Sequence, residues 1–191
     1  MTIENLSGVK AVDPSVVELK DGRLRMFYYL MEPFIPLVHE EIPHKILSAI
    51  SSGGEKTFIE GEGVRFQAPG ITDPDVIQKP DGLWIMYLSR GQETLIATSR
   101  NGLDFEDASV VIQGGGVPGA AVLEDGRIRL FVTTPGGIRS LISQDEVHFQ
   151  PEPSVRISST TDAPIVADPS VSRTPDGQWV MAFKRRLGNM R

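Results

Sequence analysis

Apolar positions in this chain come in short runs, each about the length of one strand and bounded by Gly, Asp, Asn or Pro. No capped segment keeps a helical period over ten residues or more, so the pattern predicts an all-β chain. Residues 73–112 set out the grammar. Asp73 to Gln78 is Pro-led and β-branched, as a strand start should be. Asp81-Gly82 is a favoured pair for a two-residue hairpin turn, in which both positions take φ > 0. Leu83 to Leu88 is an apolar strand, Ser89 to Glu93 a polar loop, and Thr94 to Thr98 a third strand. Asn101-Gly102 makes a second tight turn, and Leu103 to Ile112 holds a fourth strand. The product is a four-stranded antiparallel meander.

Four segments repeat this pattern: DPSVVELKDGRLRMFYYL from Asp13, DPDVIQKPDGLWIMYLSR from Asp73, VPGAAVLEDGRIRLFVTT from Val117 and DPSVSRTPDGQWVMAFKR from Asp168. In each, a Pro stands seven residues before Asp-Gly. Self-similarity at roughly 40–60 residues signals a radial or stacked repeat, and a four-stranded unit of this size is a propeller blade. The expected fold is therefore a β-propeller, one domain over residues 1–191. Its blades lie at about 13–68, 73–112 and 117–157, with a partial one at 168–191, about three and a half in all. Residues 1–12 are a candidate closing strand, because Ser7 to Ala11 resembles Gly63 to Ala68. Lys45 to Ile50 and Phe58 to Phe66 are expected as third and fourth strands of the first repeat, and Ile138 to Ile142 and Val147 to Ile157 as those of the third. The turn Ser99 to Phe105 approximates an Asp box, with more degenerate copies at Ser51 to Phe58 and Ser143 to Phe149; such a box is foremost a structural turn. Met26, Met86, Met181, Trp84 and Trp179 recur at equivalent strand positions and read as packing between blades.

Composition narrows the function. With 191 residues, 40% of them hydrophobic, the chain can bury a sizeable core. A net charge of −6 argues against a nucleic-acid partner, and the Lys184-Arg185-Arg186 cluster reads as a solvated strand end. The absence of cysteine excludes a disulfide scaffold, a thiolate metal site and a cysteine nucleophile. No apolar run reaches 18 residues, so no membrane span is expected, and residues 1–12 lack the pattern of a signal peptide. The compartment stays unassigned.

Strand order places the chemistry. In a meander blade, the first-strand starts, the loops between strands two and three, and the interblade links share one end of the central channel. Asp13, Asp73 and Asp168 hold equivalent positions there, with Val117 in the third repeat and Asp75 two residues beyond Asp73. The long segment Leu30 to His44 adds Glu32, His39, Glu40, Glu41 and His44; the later links add Arg90, Glu93, Asp162 and Arg185. Paired carboxylates suit glycosidic bond chemistry: one attacks carbon or activates water, and the other, kept protonated, protonates the leaving oxygen. The plainer reading is equally physical, since an Asp before Pro can simply cap a turn through its side-chain oxygen.

The D-P-x-V strand start followed by D-G and an apolar strand resembles the five-bladed propellers of glycoside hydrolase families 43, 32 and 68. That resemblance implies that Asp13 is the base or nucleophile and that Asp73 or Asp75 orients it or stabilises the transition state. It also implies a general acid Glu from another blade. VPGAAV has no carboxylate at its strand start, so Glu32, Glu40 and Glu41 of the long loop stand as candidates for the acid. Asp168, His39, Glu40, Arg90 and Arg185 complete the expected sugar-binding set. No cofactor is required, although propellers of this type can hold calcium in the channel. His39 and His44 read as rim residues rather than zinc ligands. Two alternatives stand beside hydrolysis: a non-catalytic propeller that binds glycan or protein, and a sialidase-like site needing several convergent arginines.

Overall fold

The computed structural model describes residues 2–4, 10–31, 43–52 and 57–188. All regular structure among them is β-strand. The first sheet contains β1 (Thr2–Glu4), β2 (Lys10–Glu18), β3 (Leu24–Met31), β4 (His44–Ser51), β5 (Thr57–Glu60) and β6 (Phe66–Ala68). Its order is β1-β5-β4-β3-β2, with β6 also on β4. The second runs in sequence order through β7 (Thr72–Gln78), β8 (Trp84–Arg90), β9 (Glu93–Ser99) and β10 (Glu106–Gln113). The third comprises β11 (Gly116–Val122), β12 (Ile128–Thr134), β13 (Gly137–Ser143) and β14 (Gln150–Pro151), with β15 (Ile157–Ser158) on β13. β16 (Ile165–Arg173) and β17 (Trp179–Arg186) form a two-stranded sheet. Lys10 and Ala11, read in the sequence as part of a closing segment, open β2, while Thr2–Glu4 lies parallel to β5. Two compact units divide the chain: Met1–Met86 with Ala97–Ala108, and Tyr87–Ile96 with Ser109–Arg191.

The Asp-Gly turns differ from the sequence expectation in one respect. Only the glycine is left-handed, at φ 79° for Gly22, 89° for Gly82, 82° for Gly126 and 86° for Gly177. Gly22 N–H donates to Leu19 O (2.9 Å) and Leu19 N–H to Arg23 O (2.7 Å), and the other three turns repeat both bonds. This is the longer hairpin loop, a type I turn closed by a glycine bulge. The aspartate serves a different need: Asp21, Asp81 and Asp125 each accept the N–H two residues on, at 3.1, 3.0 and 3.1 Å. A side-chain oxygen thus replaces water on a backbone donor that the turn leaves over.

The expected fourth strands of the first and third repeats are each broken in two. Gly61 to Arg65 separates β5 from β6, and Glu152 to Arg156 separates β14 from β15. Gly63 (φ 83°) and Ser154 (φ 67°) turn the chain aside at equivalent points. Pairing resumes in the same register, with Arg65 N–H on Ile46 O and Arg156 N–H on Ile138 O, both 2.8 Å. In the third repeat the break carries an ion network. Arg129 donates through Nε and Nη2 to the two Glu152 oxygens (2.8 Å each), Ser140 Oγ donates to Glu152 (2.8 Å), and Arg156 lies 3.2 Å from the same carboxylate. Burial works against ionisation of Glu152, but the Arg129 and Ser140 bonds and the two arginine charges outweigh it and hold the carboxyl below its usual range.

Sheets pack on one another through their outer turns. Phe105 closes the turn after β9 and meets Phe27 of β3 edge-on at 5.8 Å. Phe149 closes the turn after β13 and meets Tyr87 of β8 in the same way at 5.9 Å. A polar contact accompanies each: Arg25 Nη1 donates to Gly102 O (3.0 Å), and Tyr87 Oη donates to Glu146 O (3.1 Å). The turns are rigid enough to present those rings. Asn101 Oδ1 accepts Leu103 and Asp104 N–H at 2.8 and 3.0 Å, and Asp145 Oδ1 accepts Val147 and His148 N–H at 3.2 and 2.8 Å. The His148 backbone and ring donors, foremost, hold the Asp145 carboxyl well below its ordinary value. Gly102 is obligatory: its φ is 70°, and a Cβ there would stand 2.7 Å from the Trp84 ring.

Trp84 is buried, but Trp179 is 43% exposed, against the expectation that both pack between blades. Val180 and Phe183 are exposed with it, whereas their β8 counterparts Ile85 and Leu88 are fully buried. The cause is the neighbour: among the described residues, β17 pairs only with β16. The Arg173 guanidinium instead covers the Trp179 ring at 5.8 Å.

A left-handed residue opens the first strand of every repeat. Asp13, Asp73, Val117 and Asp168 have φ of 53°, 48°, 48° and 56°. Register shifts fall at the first, third and fourth of these, between Val12 and Ser15, Gly116 and Gly119, and Ala167 and Ser170. Asp tolerates the left-handed region because its short side chain can bond locally, whereas a β-branched residue there is strained.

Two outcomes follow for stability. Val117→Asn should relieve that strain and raise Tm by about 2–4 °C, for a gain of about 1 kcal/mol; a lower Tm in thermal unfolding would contradict the bulge conformation. Glu152 has a folded pKa below its unfolded one, so its stabilisation is complete above the unfolded value of about 4.3 and fades as pH falls through the folded one. Glu152→Gln should therefore cost about 2 kcal/mol at pH 7, roughly 4–8 °C in Tm, with the gap to wild type closing below about pH 4. Urea titrations across that range test the convergence.

Candidate functional site

The strand-start bulges set the candidate groups at the end of each sheet opposite the Asp-Gly turns. In the first unit, β2 runs beside β7, and one hydroxyl ties them. Ser15 Oγ accepts Val76 N–H at 2.9 Å and donates to Asp75 Oδ1 at 3.4 Å. Thr72 Oγ1 donates to Asp73 Oδ2 at 2.6 Å, so Asp73 is fixed by its own strand. Asp13 is exposed, whereas Asp73 and Asp75 are half-buried. Val12 pairs with Tyr29, which brings the end of β3 to the same place. His44 completes the cluster: its ring lies 5.1 Å from that of Tyr29, and its Nδ1 donates to Ile71 O at 2.9 Å. A carbonyl only accepts, so Nδ1 carries a proton, and in the neutral ring Nε2 is then the acceptor.

This sets Asp13, Asp73 and Asp75 at the same end of their strands in a single unit, with the His44 imidazole that sequence reading put at the rim and a phenol, Tyr29, that it did not place there. Ser15 and Tyr29 were missed because neither type is distinctive in a strand. A weak sign existed for Ser15, since Ser follows Asp-Pro again at Ser170. Glu32, His39, Glu40 and Glu41 lie outside the described residues.

In the second unit the candidates are already engaged. Arg90 donates to Glu93 Oε2 through Nε (3.0 Å) and Nη2 (2.8 Å), and Gln113 holds Glu93 Oε1 at 3.0 Å. Asp168 Oδ2 accepts Lys184 Nζ at 2.5 Å, while the Asp168 N–H donates to Thr133 Oγ1 at 3.1 Å. The third repeat makes the matching bond, Val117 N–H to Ser89 Oγ at 3.1 Å, with no carboxylate attached. Arg185 stands on β17 opposite Val166 and is exposed. Gly119 is equivalent to Ser15; a Cβ there would meet Pro169 O at 2.3 Å, so the inner strands β11 and β16 approach too closely for any side chain.

Two open clefts lie away from these groups, beside the outer turns. One, of about 300 Å³, is lined by Arg127, Ser143, Asp145, His148 and Gln150. The other, of about 320 Å³, is lined by Ser99, Arg100, Asn101 and Asp104. Ser99, Asn101 and Asp104 in one, and Ser143, Asp145 and His148 in the other, bond one another within the turns. Among the described residues, no three His, Asp or Glu side chains are placed to hold a metal ion, so the calcium allowed by the sequence finds no such donor set there.

No family model and no curated protein matches the chain by sequence. Its fold does match solved structures. A protein of glycoside hydrolase family 130, described among enzymes that target β-1,2 mannosidic linkages in Candida mannan, superposes with a TM-score of 0.71 at 17% identity, over 96% of this chain and 62% of that one. A xylan β-1,4-xylosidase from Bacillus halodurans C-125 gives 0.74 at 13% identity, over 98% and 40%. A family 117 glycoside hydrolase from the marine bacterium Zobellia galactanivorans gives 0.62 at 16% identity, over 92% and 66%. The chain thus spans 40–66% of the length of these three structures. At such identities the likeness establishes the fold: a β-propeller of the five-bladed glycoside hydrolase type, with about three and a half blades in this chain.

Proposed function

We propose that this propeller acts on carbohydrate, with the carboxylates of the first unit as its reactive groups. The observation that carries the reading is the joining of two first strands at one end: exposed Asp13 on β2, and Asp73 and Asp75 on β7, linked through Ser15. In this reading Asp13 is the base or nucleophile. Asp73, fixed by Thr72, and Asp75, fixed by Ser15, orient substrate and balance the charge that develops at the anomeric carbon. The general acid comes from the loop Leu30 to His44, through Glu32, Glu40 or Glu41. His44, with its Nδ1 proton committed to Ile71 O, offers Nε2 as an acceptor for a sugar hydroxyl.

Asp168, paired with Lys184, and Val117, with no carboxylate at all, favour a second reading in which the same face binds a glycan without cleaving it. The sialidase-like alternative is weakened, because Glu93 already occupies the Arg90 guanidinium.

A panel of aryl glycosides tests hydrolysis. Asp13→Ala should lower kcat/KM by about 10³-fold or more, with a modest fall in Tm because alanine tolerates the left-handed φ of 53° less well than aspartate. Turnover that survives the substitution removes Asp13 from the chemistry. No turnover across the panel, together with retention on a glycan array that Asp13→Ala abolishes, establishes the binding reading in its place.

A further inference from the structure

The broken fourth strands of the first and third repeats are equivalent residue by residue, and they differ at one position that matters. Arg129, Ser140, Glu152 and Arg156 of the third repeat correspond to Arg25, Ser48, Gly61 and Arg65 of the first. The backbone fixes this correspondence. Gly61 N–H donates to Ser48 O at 2.9 Å, as Glu152 N–H does to Ser140 O at 3.0 Å. Arg65 and Arg156 N–H donate to Ile46 and Ile138 O, both at 2.8 Å. Both arginines are therefore kept in the first repeat, and the glutamate between them is replaced by glycine.

The loss leaves a measurable deficit. Arg65 is 6% exposed, and its Nε is a buried donor with no partner. Its Nη2 reaches only backbone, the carbonyls of Glu62 and, at 2.7 Å, Gly63. Arg25 spends Nη1 on Gly102 O. Among the described residues neither arginine has a carboxylate partner. Glu60, at the end of β5, accepts the Tyr28 hydroxyl at 2.7 Å instead, and Glu62, within the break, is exposed and meets Arg65 through its backbone carbonyl. Burial, and then the adjacent Arg65 charge, push the Arg25 guanidinium below its ordinary value. Two close cations, one with a buried unmet donor, are unfavourable unless an anion joins them. There is room for one: a Cβ built on Gly61 touches only Ser48, at an ordinary 3.4 Å, and the position is exposed.

We propose that Arg25 and Arg65 form a binding site for a carboxylate-bearing small molecule, whose carboxylate takes the place that Glu152 fills in the third repeat. The planar fork of a guanidinium matches a carboxylate through two parallel bonds, as Arg129 does with Glu152. Free organic acids and uronic acid sugars share this group. The site lies at the outer-turn end of the first sheet, away from Asp13 and Asp73, and stands independently of the carbohydrate reading.

Thermal unfolding in chloride buffer, with acetate or glucuronate exchanged for chloride at constant ionic strength, tests the proposal. Wild type should gain about 2–4 °C in Tm, saturably, with at least one of the two acids. A larger gain with glucuronate marks a sugar acid as the source, and a larger gain with acetate marks a free acid. Gly61→Glu supplies the carboxylate internally; it should start at a higher Tm and gain nothing from either acid. Arg25→Gln, a substitution at a half-buried position, should also abolish the response and keeps the test open if Gly61→Glu does not fold. No saturable gain in wild type, or equal gains in wild type and Arg25→Gln, overturns the site.

Discussion

The edge-on contact between a turn aromatic of one repeat and a strand aromatic of the preceding one is the interaction on which the rest depends. Phe105 on Phe27 and Phe149 on Tyr87 are the same contact made twice, at 5.8 and 5.9 Å. Such a pair adds about 0.5–1.5 kcal/mol beyond the apolar area it buries, and only at a restricted angle. It therefore sets position as well as stability. The angle is held because Asn101 and Asp145 lock the turns through backbone N–H groups. The hydrogen bond that each turn carbonyl accepts, from Arg25 or from Tyr87, prevents the ring from sliding along its partner. At the other end of the strands, Ser15 can bridge β2 and β7 only because the packed ends have already fixed their separation.

The strand-start bulge explains why aspartate recurs beside the candidate site and why recurrence alone is not evidence of chemistry. A left-handed residue ahead of proline is needed in all four repeats, and Asp meets that need at low cost. Val117 meets it under strain, so the backbone shape is imposed by the fold and not by the carboxylate. What separates Asp13, Asp73 and Asp75 from Asp168 is their surroundings. Asp168 faces a lysine on the neighbouring strand, whereas Asp75 faces a hydroxyl across two first strands. The same backbone device stands beside a lysine in one place and beside the Ser15 hydroxyl in another.

The two broken fourth strands carry a parallel lesson about repeats. Backbone hydrogen bonds keep the geometry in register even where the side chains have diverged. In the third repeat two arginines and a glutamate close a network on themselves. In the first, the cations persist without that acid, and a buried guanidinium donor is left unmet.

Much of the fold was legible along the chain. The Pro to Asp-Gly spacing, the strand lengths and the turn residues are local properties, governed by backbone sterics that act within about ten residues. They determined an all-β chain of repeated meanders, and they located Asp13, Asp73, Asp75 and Asp168 at equivalent strand starts. Tertiary structure decided what no local pattern encodes. It made the Asp-Gly turns longer loops, broke the fourth strands at Gly61 and Glu152, and left Trp179 exposed while burying its twin Trp84. It also chose the partners: Lys184 for Asp168, Ser15 for Asp75 and, among the described residues, none for the Arg65 Nε donor. Partners are fixed by distances between strands far apart in sequence, and the free energy of a charge or an aromatic ring depends on what stands within a few ångströms of it, which only the folded chain specifies.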